Sequence, residues 1–146
     1  MEFRNLTSAD LNSLLVLYEQ LDAGNPECTA QQYKKVWEDI EGNANIQYFG
    51  AIEEGRVVST CYAVYIPNLT HGGQGICFIE NVVTDKAYRR RGLASRVINM
   101  AIAFAREHNC YKVILQSGAS RTEAHRCYEK NGFNGESKAA FDMRLN

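Results

Sequence analysis

The sequence has no surplus of either charge: 16 lysines and arginines stand against 17 aspartates and glutamates, a net charge of −1. That balance excludes a surface built to coat nucleic acid and implies no bulk electrostatic partner. No apolar run approaches the roughly 20 residues that span a bilayer. The opening Met1-Glu2-Phe3-Arg4-Asn5 also lacks the basic-then-apolar order of a secretory signal, so the expected location is cytoplasmic, with no membrane partner. C-x-x-C pairs are missing, and the five cysteines, at 28, 61, 77, 110 and 127, are odd in number, which points to reduced thiols rather than a disulfide framework or a zinc site. His108 with Cys110, and His125 with Cys127, are spaced by two, a spacing that turns side chains apart on a helix. No metal is therefore expected. The Rossmann fingerprint and the P-loop are both absent, as are internal repeats and low-complexity linkers.

What is present is an ordinary globular composition, 45% hydrophobic and 23% charged, in a length that fits one domain over residues 1–146. Residues 2–6 read as a strand. Thr7 or Ser8 can cap a helix in which Leu11, Leu14, Leu15, Tyr18 and Leu21 recur at helical spacing until Gly24-Asn25-Pro26 stops it. A second helix carries Tyr33, Val36, Trp37 and Ile40 after Thr29 and closes at Gly42-Asn43. Gln47 to Ile52 and Arg56 to Ile66 are β-rich runs joined across Glu53-Glu54-Gly55, a hairpin signal. Pro67 to Gly75 reads as a loop and Ile76 to Thr84 as a strand. From Gly92 to about His108 an apolar stripe predicts a helix. Lys112 to Gln116 follows as a buried strand, Thr122 to Lys130 as a helix, and Ala139 to Leu145 as a closing strand. Strand, two helices, three strands, helix, strand, helix, strand makes an α/β sandwich with a mixed sheet.

Chemistry is densest where a strand runs into a basic turn and then a helix, from Phe78 through Thr84 and Arg89-Arg90-Arg91-Gly92 to Leu93-Ala94-Ser95. A helix N-terminus presents unpaired N–H groups and the positive end of the dipole, so it can hold an anion. Gly92 keeps side-chain bulk out of the way, Ala94 and Ser95 keep the mouth open, and Arg89, Arg90, Arg91 and Arg96 supply charge for phosphates. The plainer reading is a solvated tight corner.

Arg89-x-x-Gly92-x-Ala94 resembles the Arg/Gln-x-x-Gly-x-Gly/Ala signature of the GNAT family of N-acetyltransferases. Downstream, Ala124-x-x-x-Tyr128-x-x-x-Gly132-Phe133 resembles that family's Ala-x-x-x-Tyr-x-x-x-Gly-Phe segment. The resemblance runs over residues 76–133, and the Ile79-Glu80-Asn81-Val82-Val83 strand and the Lys138-Ala139-Ala140-Phe141 ending are most similar to the glucosamine-6-phosphate N-acetyltransferase branch. It implies helices on both faces of the sheet, parallel strands splayed at the donor site, and acetyl-coenzyme A as cosubstrate. It further implies that the backbone of Val82, Val83 and Thr84 pairs with the pantetheine arm as an added strand, and that N–H groups from Arg89 through Ser95 hold the pyrophosphate. Tyr128 would then be the general acid for the departing thiolate; without the resemblance it reads as a half-buried aromatic. By the same analogy the acceptor pocket draws on Tyr33 and on the loop His71 to Gly75, and a homodimer is expected.

Glu80 interrupts an apolar strand on the face that period two gives to Ile76, Phe78, Val82 and Thr84. It reads either as the base for an ammonium substrate or as a structural carboxylate, paired to an arginine or exposed at a strand splay. Ser117 reads either as lining the acetyl or acceptor site or as part of an ordinary strand-to-helix turn. His125 and Cys127 stand alone, with no partner for base or nucleophile chemistry visible in the sequence. The expected activity is direct transfer of an acetyl group to a primary amine of a small molecule. The rivals are a protein amine as acceptor and a non-catalytic acyl-coenzyme A sensor.

Overall fold

The computed structural model describes all of residues 1–146, which divide into two compact units, Met1–Leu115 and Gln116–Asn146. The first contains β1 (Glu2–Asn5), a 3₁₀ turn Ser8–Asp10, α1 (Leu11–Tyr18), α2 (Ala30–Glu41), β2 (Ile46–Glu53) and β3 (Arg56–Ile66). It continues through β4 (Gly75–Thr84), α3 (Leu93–Glu107) and β5 (Cys110–Leu115). The five strands form one sheet in sequence order. Their first three pairings are antiparallel, and β4 with β5 is parallel.

Local chemistry accounts for most of these elements. The Thr29 side chain accepts from the Gln32 N–H at 3.1 Å while the Gln32 side chain accepts from the Thr29 N–H at 2.8 Å, a reciprocal cap that starts α2. Glu54 and Gly55 both take left-handed φ, 50° and 75°, as a two-residue hairpin between twisted strands requires. The first helix is shorter than its leucine spacing suggests: a 3₁₀ turn precedes α1, and the chain turns off after Tyr18. Arg4 grips Asp10 through two bonds of 2.7 and 2.8 Å, and Asp10 also accepts from the Thr7 N–H at 2.8 Å. This ties β1 to the start of α1.

Helices cover both faces of the sheet. On one face Leu14 and Leu17 of α1 and Trp37 of α2 pack with Tyr48, Ile52, Val57 and Val83. On the other, the Cys61 thiol donates to the Val97 carbonyl of α3 at 3.3 Å, and the rings of Phe49 and Phe104 meet edge to face at 6.1 Å. Val97, Ile98 and Ala101 of α3 are fully buried. Side chains of that size contribute about 1.5–3 kcal/mol each when buried, less for alanine.

The second unit holds one helix, α4 (Thr122–Lys130). Its end is closed by Gly132 at φ 93° and by the Phe133 N–H donating to the Tyr128 carbonyl at 3.1 Å. The strand expected over Ala139 to Leu145 does not form. Its apolar residues Phe141, Met143 and Leu145 are 83–91% exposed. A strand needs a neighbouring ladder, and this unit contains no strand to provide one.

Candidate active site

β4 is paired with β3 as far as Ser59↔Thr84, but its pairing with β5 stops at Ile79↔Leu115. From Glu80 to Thr84 no strand pairs with its second edge, which leaves backbone donors and acceptors on that side available to a ligand. The resemblance implies a splay of the two parallel strands here; what the fold contains is an unpaired edge, since β5 ends at Leu115 where its pairing with β4 ends.

A bulge sits at the same point. Tyr62 faces Glu80, yet Thr60 faces Val83, so two steps on β3 match three on β4. Asn81 absorbs the extra residue with a left-handed φ of 51°. The strict alternation read from the sequence is therefore corrected: the extra residue turns Val83, rather than Val82 and Thr84, to the face of Glu80. Val83 joins the α1–α2 core, while the Thr84 hydroxyl bonds that of Ser59 at 2.8 Å.

Tyr48, Tyr62 and Glu80 are directly opposite one another across β2, β3 and β4. The two tyrosine rings stack at 4.6 Å. Burial pushes the Tyr62 phenol above its ordinary pKa, and the Glu80 charge adds to the rise. Tyr18 and Tyr48 are raised in the same direction, chiefly by burial. These phenols are therefore neutral donors throughout the physiological range. The Glu80 carboxylate, half-buried, makes no ion pair or side-chain hydrogen bond, so it is not paired to an arginine; it stands where the pairing of β4 with β5 has ended.

Beyond Thr84 the chain makes the basic turn. The Asp85 N–H is anchored to the Val58 carbonyl at 2.8 Å and its carbonyl accepts from Tyr88 at 2.8 Å; its carboxylate caps the Ala87 N–H, also at 2.8 Å. Arg89 donates to the Thr84 carbonyl at 3.3 Å and Arg91 to the Ala87 carbonyl at 3.2 Å, so two of the arginines brace the loop that carries them. Arg90 takes φ 62° and Gly92 φ 75°, and α3 begins at Leu93 with Gly92 as its cap. A Cβ added at Gly92 would meet nothing within 4 Å, so the mouth of the helix is open. Arg96 points elsewhere: its guanidinium lies 3.5 Å over the Phe3 ring, which leaves Arg89, Arg90 and Arg91 as the arginines of the turn, beside Lys86.

The first unit thus brings together Glu80, Val82, Val83, Thr84 and Arg89 through Ser95 along one continuous stretch of β4, turn and α3. Tyr33 lies on α2, half-buried, one turn before Trp37. The loop His71 to Gly75 is at the opposite end of β4 from the unpaired edge, and there His71 stacks on Tyr111 at 3.8 Å. In the second unit Tyr128 is buried, edge-on to Phe133 at 6.4 Å. The Ser117 hydroxyl is buried without a hydrogen-bond partner. A His125 ring nitrogen is bonded to the Gly118 carbonyl at 2.9 Å, a structural contact. The sequence reveals neither Tyr62 nor the bulge at Asn81 as parts of this site; only Asp85, a capping residue ahead of Lys86-Ala87-Tyr88, carries a local signal.

The family model for the GNAT acetyltransferase family matches residues 14–133. The chain belongs to that family. It is therefore an acetyltransferase enzyme with the α/β fold of its relatives, a five-stranded mixed sheet between helices. A glucosamine 6-phosphate N-acetyltransferase from Trypanosoma brucei brucei is 32% identical over 99% of this chain and 95% of its own. A solved structure from Agrobacterium tumefaciens shares 37% identity over 99% of both chains, with a TM-score of 0.92. A crystal structure of a Trypanosoma brucei acetyltransferase shares 32% identity over 99% of this chain and 98% of its own, with a TM-score of 0.80. No helix of the GNAT chain is long and apolar enough to cross a membrane.

The donor set suits a coenzyme A thioester. An unpaired strand edge offers amides to an extended arm, and the turn that follows offers cations and helix N–H groups where a Cβ would otherwise stand. All of these favour an anion over a cation.

Proposed function

We propose that this GNAT chain, acting over all 146 residues as one cytoplasmic domain, transfers the acetyl group of acetyl-coenzyme A directly to the primary amine of a small molecule. Glucosamine 6-phosphate is the first acceptor to test. The observation that carries the donor half is the unpaired edge of β4 from Glu80 to Thr84 running straight into the Gly92 turn. The acceptor half is supported by the relative from Trypanosoma brucei brucei, whose match spans 95% of that protein.

Acetyl-coenzyme A supplies a thioester, an acyl carbon already activated toward an amine. The backbone of Val82, Val83 and Thr84 aligns the arm, and the N–H groups of Arg89 through Ser95, with Arg89, Arg90 and Arg91, hold the pyrophosphate. Glu80 accepts the proton that the acceptor's ammonium must lose, a task for which its unpaired carboxylate is available. An N–H at Val82 or Val83 donates to the developing oxyanion. As the C–N bond forms and the C–S bond breaks, the Tyr128 phenol gives its proton to the sulfur. Tyr33 and Ser117 contact the acceptor. The apolar alternation of Phe141, Met143 and Leu145, all exposed, supports a homodimer in which that segment pairs with a second copy.

Thiol release from acetyl-coenzyme A, measured against glucosamine 6-phosphate, glucosamine, a polyamine, an aminoglycoside and a peptide N-terminus, tests the proposal. Turnover highest with glucosamine 6-phosphate supports it. Turnover confined to the peptide would move the acceptor to a protein amine, and donor binding without turnover on any amine would favour the sensor reading.

A further inference from the structure

The α1 end of the first unit reaches the phosphate turn through one side chain. Gln20 lies two residues past α1, where its N–H donates to the Leu17 carbonyl at 3.0 Å and the next residue's N–H to Tyr18 at 3.0 Å. Leu17 is buried and Leu21 packs on the same core, so the backbone at Gln20 is fixed from both sides. From there its amide spans 65 and 66 positions of sequence: the Oε1 accepts from the Lys86 N–H at 3.0 Å, and the Nε2 donates to the Asp85 carboxylate at 3.3 Å. The two contacts fix the orientation of the amide, because a carboxylate can only accept and a backbone N–H can only donate. Asp85 is the residue that also joins the turn to β3 and caps Ala87. Gln20 therefore acts on the anchor of the whole 85–92 segment. Neither Arg89 nor Arg91 does this, since both bond only to carbonyls between Thr84 and Ala87.

We propose that Gln20 is a positioning residue for the donor's phosphate site, holding the turn that ends in Gly92 against the α1–α2 segment so that the α3 N–H groups are set before the donor arrives. The inference rests on the acetyl-coenzyme A reading above. Its physical basis is preorganisation: a loop held in its binding geometry does not have to be ordered when the ligand binds. Any benefit is confined to donors that reach the turn. Acetyl-pantetheine keeps the thioester and the arm that would lie along β4 but has no pyrophosphate or nucleotide, so it serves as an internal control.

Gln20→Met keeps the length and bulk of the side chain and removes both hydrogen bonds. In the free protein, hydrogen exchange at the Lys86 amide should quicken about tenfold, with the melting temperature nearly unchanged, because the contacts are exposed and local. Calorimetric titration should show coenzyme A binding weakened about tenfold, equivalent to about 1.4 kcal/mol. With acetyl-pantetheine as donor, kcat/KM should move less than twofold. A merely structural role predicts equal losses with both donors, and that result would overturn the inference, as would unchanged coenzyme A affinity in Gln20→Met. A wild type that does not bind coenzyme A would overturn both this inference and the proposed function. A wild type that binds it as tightly as the variant would overturn this inference alone.

Discussion

Gly92 and Gly55 form a matched pair on which the meaning of the basic turn can be decided. Both have φ 75°, and a Cβ added to either meets nothing within 4 Å. Alanine at such a position is free of clashes but is held in the left-handed region, at a cost of about 1 kcal/mol. For a chain of this length that lowers the melting temperature by about 2–4 °C, and the two variants should lose nearly the same amount. They should part company in binding. Gly55 turns the β2–β3 hairpin, whereas the methyl of Gly92→Ala stands in the open mouth of α3, where an approaching phosphate must meet the first N–H groups. Hydrogen bonds to charged groups contribute about 1.5–3 kcal/mol each, so blocking even one should weaken coenzyme A binding tenfold or more. Melting curves and calorimetric titration of both variants give the comparison. If Gly92→Ala binds coenzyme A no worse than Gly55→Ala, the open mouth holds no phosphate and the reasoning fails.

Other consequences follow from the same geometry. Glu80→Gln should lower kcat on an amine acceptor by about 10²–10⁴ while leaving coenzyme A affinity intact in the same calorimetric assay; a variant with full turnover would show that the carboxylate is not the base. Tyr128→Phe should cut turnover by a similar factor, and a donor with a more acidic thiol as leaving group should recover part of the loss. Arg4 holds the Asp10 carboxyl below its ordinary pKa, with the Thr7 N–H assisting against the opposing effect of burial. The folded-state value being the lower one, the pair's contribution is fully present above the unfolded value of about 4 and is lost as the pH falls from there through the lower folded-state value. Asp10 is buried but Arg4 is 34% exposed, and solvent screening there brings the expected cost of Asp10→Asn to about 1–2 kcal/mol at neutral pH. Melting curves of variant and wild type should draw together as the pH is lowered below about 4. Burial pushes the Cys77 thiol up to about 12 and raises Cys61 likewise, so iodoacetamide at pH 8 should modify exposed Cys28 first and spare these two, as read by peptide mass.

The parts of the fold that were legible in the sequence are those whose causes are local. Thr29 and Gln32 cap α2 three residues apart, Glu54-Gly55 turns a hairpin, and the run from β4 through Arg89 and Gly92 into α3 carries strand, turn and helix signals in one stretch. What escaped depends on partners distant in sequence. The bulge at Asn81 is fixed by the registers of Tyr62 and Thr60 on β3, and nothing in Glu80-Asn81-Val82-Val83 announces it. Ala139 to Leu145 has the alternation of a strand, but alternation reports only which residues would share a face; whether a ladder exists is decided elsewhere. Gln20 has no motif at all, since its role comes from a meeting with Asp85 and Lys86 that only the fold creates.

The central claim is that the donor lies along the unpaired edge of β4 and ends in the mouth of α3. Amide hydrogen exchange with and without coenzyme A measures this directly, because a ligand that bonds backbone N–H groups slows their exchange. Protection appearing at residues 82–84 and 89–95, with the hairpin at Glu54-Gly55 unchanged, is the predicted result. Coenzyme A binding accompanied by protection elsewhere, with those two segments exchanging as before, would contradict it.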